Sequence, residues 1–377
     1  ESSDTVSTQK AVTSDAASLL FTEKHITSDL TLPTIGASGT TISWKSSNPS
    51  VLSNEGKVTR PKKGAADEEV TLKGTVKMGD YAKARKFAFV VLAESEMGPT
   101  KEFALDQVEL LDDYYLTAQN SDIEFLKKFD NDRLLSRFRE TAGLDTKKIA
   151  PYGGWEDGWL GGHSVGHYLT AIAQAVKATG NADLKEKSKQ LIKGLAECQN
   201  KLGTGFIFGA KIETEGYVEK QFDILEGKTT GKTWVPWYNM HKMLTGLVDT
   251  YKYTGNKQAL EVAKQLGDWI YNRVSKWDAG TQGRVLGTEY GGMNDCLYEL
   301  YLCTRDSKHL EAAHKFDEPN LYKTVAKGGK NCLNGKHANT TIPKFLGALK
   351  RYVVLEQTGE LTKDDEAYLT NVEKFFD

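Results

Sequence analysis

Four short stretches gather the residues that could bind and transform a polar substrate. They are Tyr152-Gly153-Gly154-Trp155-Glu156 running on to His163 and His167, Pro236-Trp237-Tyr238-Asn239-Met240-His241, Glu289-Tyr290-Gly291-Gly292-Met293-Asn294-Asp295, and Lys336-His337-Ala338-Asn339-Thr340. Glu156, Glu289 and Asp295 could furnish the two carboxylates that cleavage at a sugar's anomeric carbon normally uses, one as acid and one as base or nucleophile. Glu289 or Asp295 would serve equally well as a charge at a helix N-terminus. Trp155, Trp234, Trp237 and Tyr238 offer flat faces that stack on the C–H faces of a sugar ring, or anchors for a core between helices. His163 and His167 are four apart and share one helical face. That face could bind a metal, hydrogen-bond a sugar or bond within the scaffold, although the helical zinc motif also wants glutamate where Ser164 stands. His241, Asn294 and His337 are polar residues near the starts of apolar runs, and Thr340 and Thr341 are available as caps.

These stretches need elements to hold them at one place. After Pro236 the apolar residues Met243, Leu244, Leu247, Val248 and Tyr251 recur at helical spacing, so the polar groups cluster at a helix N-terminus. The join Thr179-Gly180-Asn181 recurs as Thr254-Gly255-Asn256, Thr304-Arg305-Asp306 and Thr358-Gly359-Glu360, each dividing two amphipathic helices. The helices before the joins are expected over about 163–178, 236–253, 291–303 and 338–357, with partners over about 183–200, 257–277, 307–316 and 361–376. Each motif lies at the start of a helix of the first set. An (α/α) toroid of hairpins with those helices innermost would bring all of them to one rim.

Residues 1–96 read as β throughout, with alternating runs at Thr40–Trp44, Glu69–Val76 and Lys86–Leu92, and a small β-sandwich fits. A linker near Glu94–Pro99 precedes a helical domain over 100–377. With 49 basic and 51 acidic residues the net charge is −2, and no basic run is long enough for a nucleic-acid footprint. No apolar run approaches the roughly 20 residues that cross a bilayer. A first residue Glu1 suits a trimmed chain or one that has lost a signal peptide. Cys198, Cys296, Cys303 and Cys332 have no CxxC spacing and read as buried free thiols.

The stretch Ser43-Trp44-Lys45-Ser46-Ser47-Asn48-Pro49-Ser50-Val51-Leu52, with Gly56-Lys57-Val58-Thr59-Arg60-Pro61, resembles the bacterial immunoglobulin-like modules of secreted carbohydrate-active enzymes. From about residue 100 onward the four motifs, with Gly162-His163-Ser164-Val165-Gly166-His167-Tyr168-Leu169 and Leu195-Ala196-Glu197-Cys198-Gln199, resemble the catalytic domain of the β-L-arabinofuranosidase group, glycoside hydrolase families 127 and 146. The resemblance implies an (α/α)6 toroid, a retaining mechanism with a zinc-bound cysteine thiolate as nucleophile and a glutamate as acid/base, and zinc held by one glutamate and three cysteines. In the family those groups follow the helix that begins here at His337, and this sequence has no Glu-x-Cys and no paired cysteines after it. The zinc ligands and nucleophile are therefore expected outside this chain, and the toroid is expected to be incomplete. Its open flank would be covered by self-association or by a downstream chain. The expected substrate-binding rim is Trp155, Glu156, His163, His167, Trp237, His241, Asn294 and His337. The expected substrate is an arabinofuranose-containing plant glycan, met outside the bacterial cell or at its surface. The competing readings are another toroid hydrolase or lyase that uses Glu156 with Glu289 or Asp295 directly, and a glycan-binding protein without catalysis.

Overall fold

The computed structural model describes residues 3–21, 23–62, 65–94, 103–156, 158–210, 217–328 and 332–376. The chain divides into two compact units, Glu1–Glu102 with Tyr352–Lys363, and Phe103–Arg351 with Asp364–Asp377.

In the first unit, helix α1 (Ser3–Ser18) precedes β1 (His25–Ile26), β2 (Thr41–Ser46), β3 (Glu68–Met78) and β4 (Tyr81–Val91). The sheet order is β1-β4-β3-β2, antiparallel except for the β1–β4 pair. Strands β3 and β4 form a hairpin in which Met78 faces Tyr81, and Gly79 takes φ +58, as a two-residue turn requires. Alternation decides the buried face: Val70, Leu72 and Val76 of β3 and Phe87, Phe89 and Val91 of β4 are all buried, with Trp44 packed against them. The reading of this whole region as β is corrected at α1. Val12, Ala16 and Leu19 have helical spacing, and they cover the sheet as its second layer. The Ser- and Thr-rich composition of Ser3–Ser18 hides that period in the sequence.

The second unit is helical. It runs through α2 (Asp113–Lys127), α3 (Asn131–Ala142), α4 (His163–Thr179), α5 (Ala182–Leu202), α6 (Lys220–Leu225), α7 (Pro236–Thr254), α8 (Lys257–Val274), α9 (Ala279–Leu286), α10 (Met293–Thr304), α11 (Ser307–His314), α12 (Pro319–Ala326), α13 (Ala338–Thr358, whose residues from Tyr352 on belong to the first unit) and α14 (Lys363–Phe376, of this unit from Asp364 on). The hairpins expected at the joins are present, within a few residues of their expected bounds. The short α6, α9 and α12 were not anticipated, because helices of under three turns carry too little periodicity to stand out.

The turns share one chemistry. Gly180, Gly255 and Arg305 end α4, α7 and α10 in the left-handed conformation, at φ +69, +70 and +56. The next residue then caps the following helix: Asn181 accepts from Leu184 N, Asn256 from Ala259 N and Asp306 from Lys308 N. Only Arg305 carries a side chain at the left-handed position, a strain of about 1–2 kcal/mol that glycine would avoid.

Helices α4, α7 and α10 lie side by side as one layer, and α5, α8 and α11 as the next. The contact between α4 and α7 is set by glycine. A Cβ on Gly166 would stand 2.1 Å from the Lys242 carbonyl oxygen, and one on Gly246 would stand 2.5 Å from that of Gly166. Helix α13 approaches α10 in the same way, since a Cβ on Gly347 would fall 2.0 Å from Asn294 Oδ1. Gly166→Ala should therefore destabilise the protein by about 1–3 kcal/mol through overpacking against backbone that cannot yield. Urea denaturation checks this, and Gly180→Asn, at an open turn, is the control expected to cost less.

Candidate active site

The motifs meet at the starts of α4, α7 and α13 and in the segment leading into α10. The α4 start is built around Glu156. Gly162 precedes the helix at φ +91 and has no capping side chain. Glu156, buried, supplies the missing acceptor, taking hydrogen bonds from Gly162 N at 2.5 Å and Ser164 N at 2.9 Å. Its Oε1 also meets His163 Nδ1 at 2.9 Å. Burial pushes the Glu156 carboxyl up, but the His163 bond and the two backbone N–H groups outweigh it and hold the group below its ordinary value. For His163, burial works downward, and the Glu156 bond and the Leu160 carbonyl at 2.6 Å overcome it, so the imidazole titrates above its ordinary value. Both contacts use Nδ1, which leaves Nε2 without a partner among the described residues.

One turn on, His167 has an edge open to solvent, yet protein packed around the ring, followed by the charges of Lys242 and His163, brings its imidazole down to about 4. The His163 ring lies 6.0 Å from His167 and 6.2 Å from Tyr238 on α7. Lys242 Nζ stands 4.8 Å over the Tyr238 ring, and burial lowers the ammonium's pKa despite Cys296 and Glu289 nearby. Tyr238 also bonds to Asn339 of α13, and Asn339 Nδ2 donates to Glu289 Oε1 at 3.3 Å. A line of polar groups thus runs from Glu156 through His163, Tyr238 and Asn339 to Glu289.

Beneath that line His241 is locked. Gly292 N donates to its Nδ1 at 3.0 Å, and burial holds the imidazole well below its ordinary value, so it is neutral with the proton on Nε2. The Gly291-Gly292 pair makes this possible: a Cβ on Gly291, at φ +59, would stand 2.5 Å from His241 Nδ1.

Of the expected rim residues, Trp237 and Asn294 are taken up in the core and Trp155 and His337 are exposed. Trp237 is 1% exposed and belongs to an aromatic core with Phe222, Trp269, Trp277 and Phe316, so it is an anchor between helices. Asn294 is fully buried and donates to Asp317 Oδ1 at 3.0 Å, beside Gly347. Trp155 is 71% exposed. His337 is exposed 3.2 Å from Thr340 Oγ1, and it lines a cavity of about 700 Å³ with Glu318, Lys336, Thr340 and Lys344. Lys242 was not among the expected site residues, and Tyr238 and Asn339, though part of the motifs, were not placed on the expected rim. Their signal in the sequence was position, one helical turn or less from His241 and His337.

Of the three candidate acids, Asp295 stands apart. Burial, with Glu299 and Asp249 adding to it against Lys350 and Lys252, raises its carboxyl to about 6. Such a group is a protonated acid in mildly acidic solution.

Residues 107–377 match the family model described as β-L-arabinofuranosidase, GH127 catalytic domain. The chain belongs to the GH127 family. Residues 12–94 match the model for an atrophied bacterial immunoglobulin domain. Among solved structures, this GH127 chain is similar to a GH127 β-arabinofuranosidase at 14% identity, over 72% of this chain and 42% of that one, with a TM-score of 0.45. It is likewise similar to a GH127 β-L-arabinofuranosidase from Geobacillus stearothermophilus T6 at 14% identity, over 69% and 41% of the two chains, with a TM-score of 0.42. The chain thus spans about 42% of the length of the first of these. No curated protein matches it.

The zinc site implied by the resemblance, one glutamate with three cysteines, does not fit the described residues. Burial raises the thiols of Cys198 and Cys303 to about 11 and that of Cys296 well above its ordinary value. No group of three potential ligands among those residues contains a cysteine; the only such group is Asp268, Asp306 and His309.

Two titrations test this site. Glu156→Gln removes the outweighing partner of His163, so the His163 ring proton resonances in NMR should titrate below 6.5 in the variant and above it in the parent. Asp295 carries the opposite stability sign to a salt-bridged aspartate. A carboxyl raised in the fold stabilises at low pH and loses that contribution as pH climbs from 3.8 through about 6. Asp295→Asn should therefore gain stability relative to the parent on going from pH 4 to pH 7, measured by thermal unfolding at both values.

Proposed function

We propose that this GH127 chain provides the substrate-facing part of a retaining β-L-arabinofuranosidase, working outside the bacterial cell or at its surface on arabinofuranose-containing plant glycans. The observation that carries the reading is the convergence of family motifs at three helix starts and the α10 lead-in. There, His163 Nε2, the Tyr238 hydroxyl, the Asn339 amide and the Glu289 carboxylate form one line of hydrogen-bonding groups. A furanose ring presents alternating hydroxyls, and such a line suits it. Below it His241 is neutral, with its orientation fixed by Gly292 N. In this reading the nucleophile and its metal are supplied by residues other than these motifs.

The exposed apolar side chains Phe103, Leu111, Tyr114, Tyr115 and Phe125, along and just before α2, support the related view that this flank is covered by another copy or another chain.

A second reading is direct catalysis by carboxylates. Asp295 favours it by its raised carboxyl. Glu156 opposes it, because three donors occupy its two oxygens.

The test combines calorimetric binding of an L-arabinofuranoside with turnover of an aryl β-L-arabinofuranoside. Tyr238→Phe and Asn339→Ala should each weaken binding by about fivefold, the worth of one hydrogen bond of roughly 1 kcal/mol. Turnover by the chain alone that disappears in Asp295→Asn, in a folded variant, would establish the second reading. Arabinofuranoside binding that neither variant weakens would sink the proposed site.

A further inference from the structure

The outer layer holds a side-chain cluster remote in role from the site above. His309 of α11 is 1% exposed. Its Nδ1 lies 2.7 Å from Thr304 Oγ1, whose hydroxyl can donate to the Leu300 carbonyl at 3.0 Å. In the tautomer where that hydroxyl proton is directed at Leu300, Nδ1 carries the imidazole proton and Nε2 is free to present its lone pair to a metal. Nε2 has no partner in hydrogen-bond geometry. The groups facing it are acceptors: Asp268 Oδ1 of α8 at 3.7 Å and the Lys264 carbonyl. Gly267 leaves room for the ring, since a Cβ there would stand 2.6 Å from Nε2. A buried Nε2 with no partner in hydrogen-bond geometry and with acceptors around it is a place for a positive species, and burial lowers the imidazole's pKa against the opposing pull of Asp306, Asp268 and the Lys264 carbonyl.

We propose that Asp268, Asp306 and His309 bind one divalent transition-metal cation that ties the α10–α11 hairpin to α8. Each residue offers one ligand atom, and these atoms lie within 4.8 Å of one another. Asp306 uses Oδ1 to accept from Lys308 N at 3.0 Å, which leaves Oδ2 for the metal. Metal–nitrogen and metal–oxygen bonds of about 2.0–2.2 Å place tetrahedral ligands roughly 3.5 Å apart, a contraction that two partly exposed aspartates can make by side-chain rotation. One imidazole and two carboxylates suit zinc or cobalt better than magnesium or calcium, with water completing the shell. The Lys308 ammonium now sits 3.5 Å from Asp268 Oδ1 and 3.8 Å from Asp306 Oδ2, on a half-exposed flexible stem. It marks where positive charge is wanted, and the metal displaces it. The donor set contains no thiolate, so this site differs in kind from a cysteine zinc site.

The test uses the whole chain, stripped with chelator and titrated with zinc by calorimetry and with cobalt(II) by visible absorption. The expected result is one equivalent bound, a cobalt spectrum with no thiolate charge-transfer band, and a higher unfolding temperature. Asp268→Asn and Asp306→Ser, the latter keeping a helix cap, should each weaken binding by about tenfold or more, since even outer-shell partners of a metal carry that much. Lys308→Ala removes the competing cation and should tighten binding. No binding at millimolar zinc, affinity unchanged in the Asp268→Asn/Asp306→Ser double variant, weaker binding by Lys308→Ala, or a thiolate band would each overturn the proposal.

Discussion

The contact between the α4 and α7 backbones at Gly166 and Gly246 is the constraint on which the site depends. With no side chain between them, the two helices come close enough for the carbonyl of Lys242 to occupy the space a Cβ at Gly166 would fill. The polar ends then fall together: His163 and His167 from one helix, Tyr238, His241 and Lys242 from the other. Larger residues at either glycine would push the helices apart and open the line of hydrogen-bonding groups that crosses between them.

The remaining helices attach to that pair through a repeated economy of turns. A residue in the left-handed conformation ends one helix, and an Asn or Asp immediately caps the next. Such a turn satisfies orphaned backbone groups within three residues and returns the chain antiparallel. At the start of α4, where Gly162 cannot cap, a buried glutamate from outside the helix does so, and the same carboxylate positions His163.

Charge within the first helical layer follows the same rule of satisfied burial. Asp249 accepts from Thr170 at 2.8 Å, and Glu299 pairs with both Lys252 and Lys350. These pairs join α4, α7, α10 and α13 below the rim. Burial raises the Asp295 carboxyl, and with no basic partner within ion-pair distance among the described residues nothing offsets it fully.

Much of this was legible in the sequence because it is local. Helical periodicity and the Thr-Gly-Asn type of join fix hairpins over a few residues. The family motifs likewise fell at helix starts, as the hairpin pattern implied. The fate of individual side chains was decided only by packing. Trp237 and His241 are four apart and so share one face at one helix start, yet the first fills an aromatic core and the second backs a glycine turn, because one turn along that face α7 meets different neighbours. Asn294 and Asp295 are adjacent, yet one is held by Asp317 and the other is left unpaired, since neighbouring helical residues diverge by about 100° and meet different neighbours. Sequence assigns a residue to an element's start; the elements packed around it determine whether that residue faces a substrate or the core.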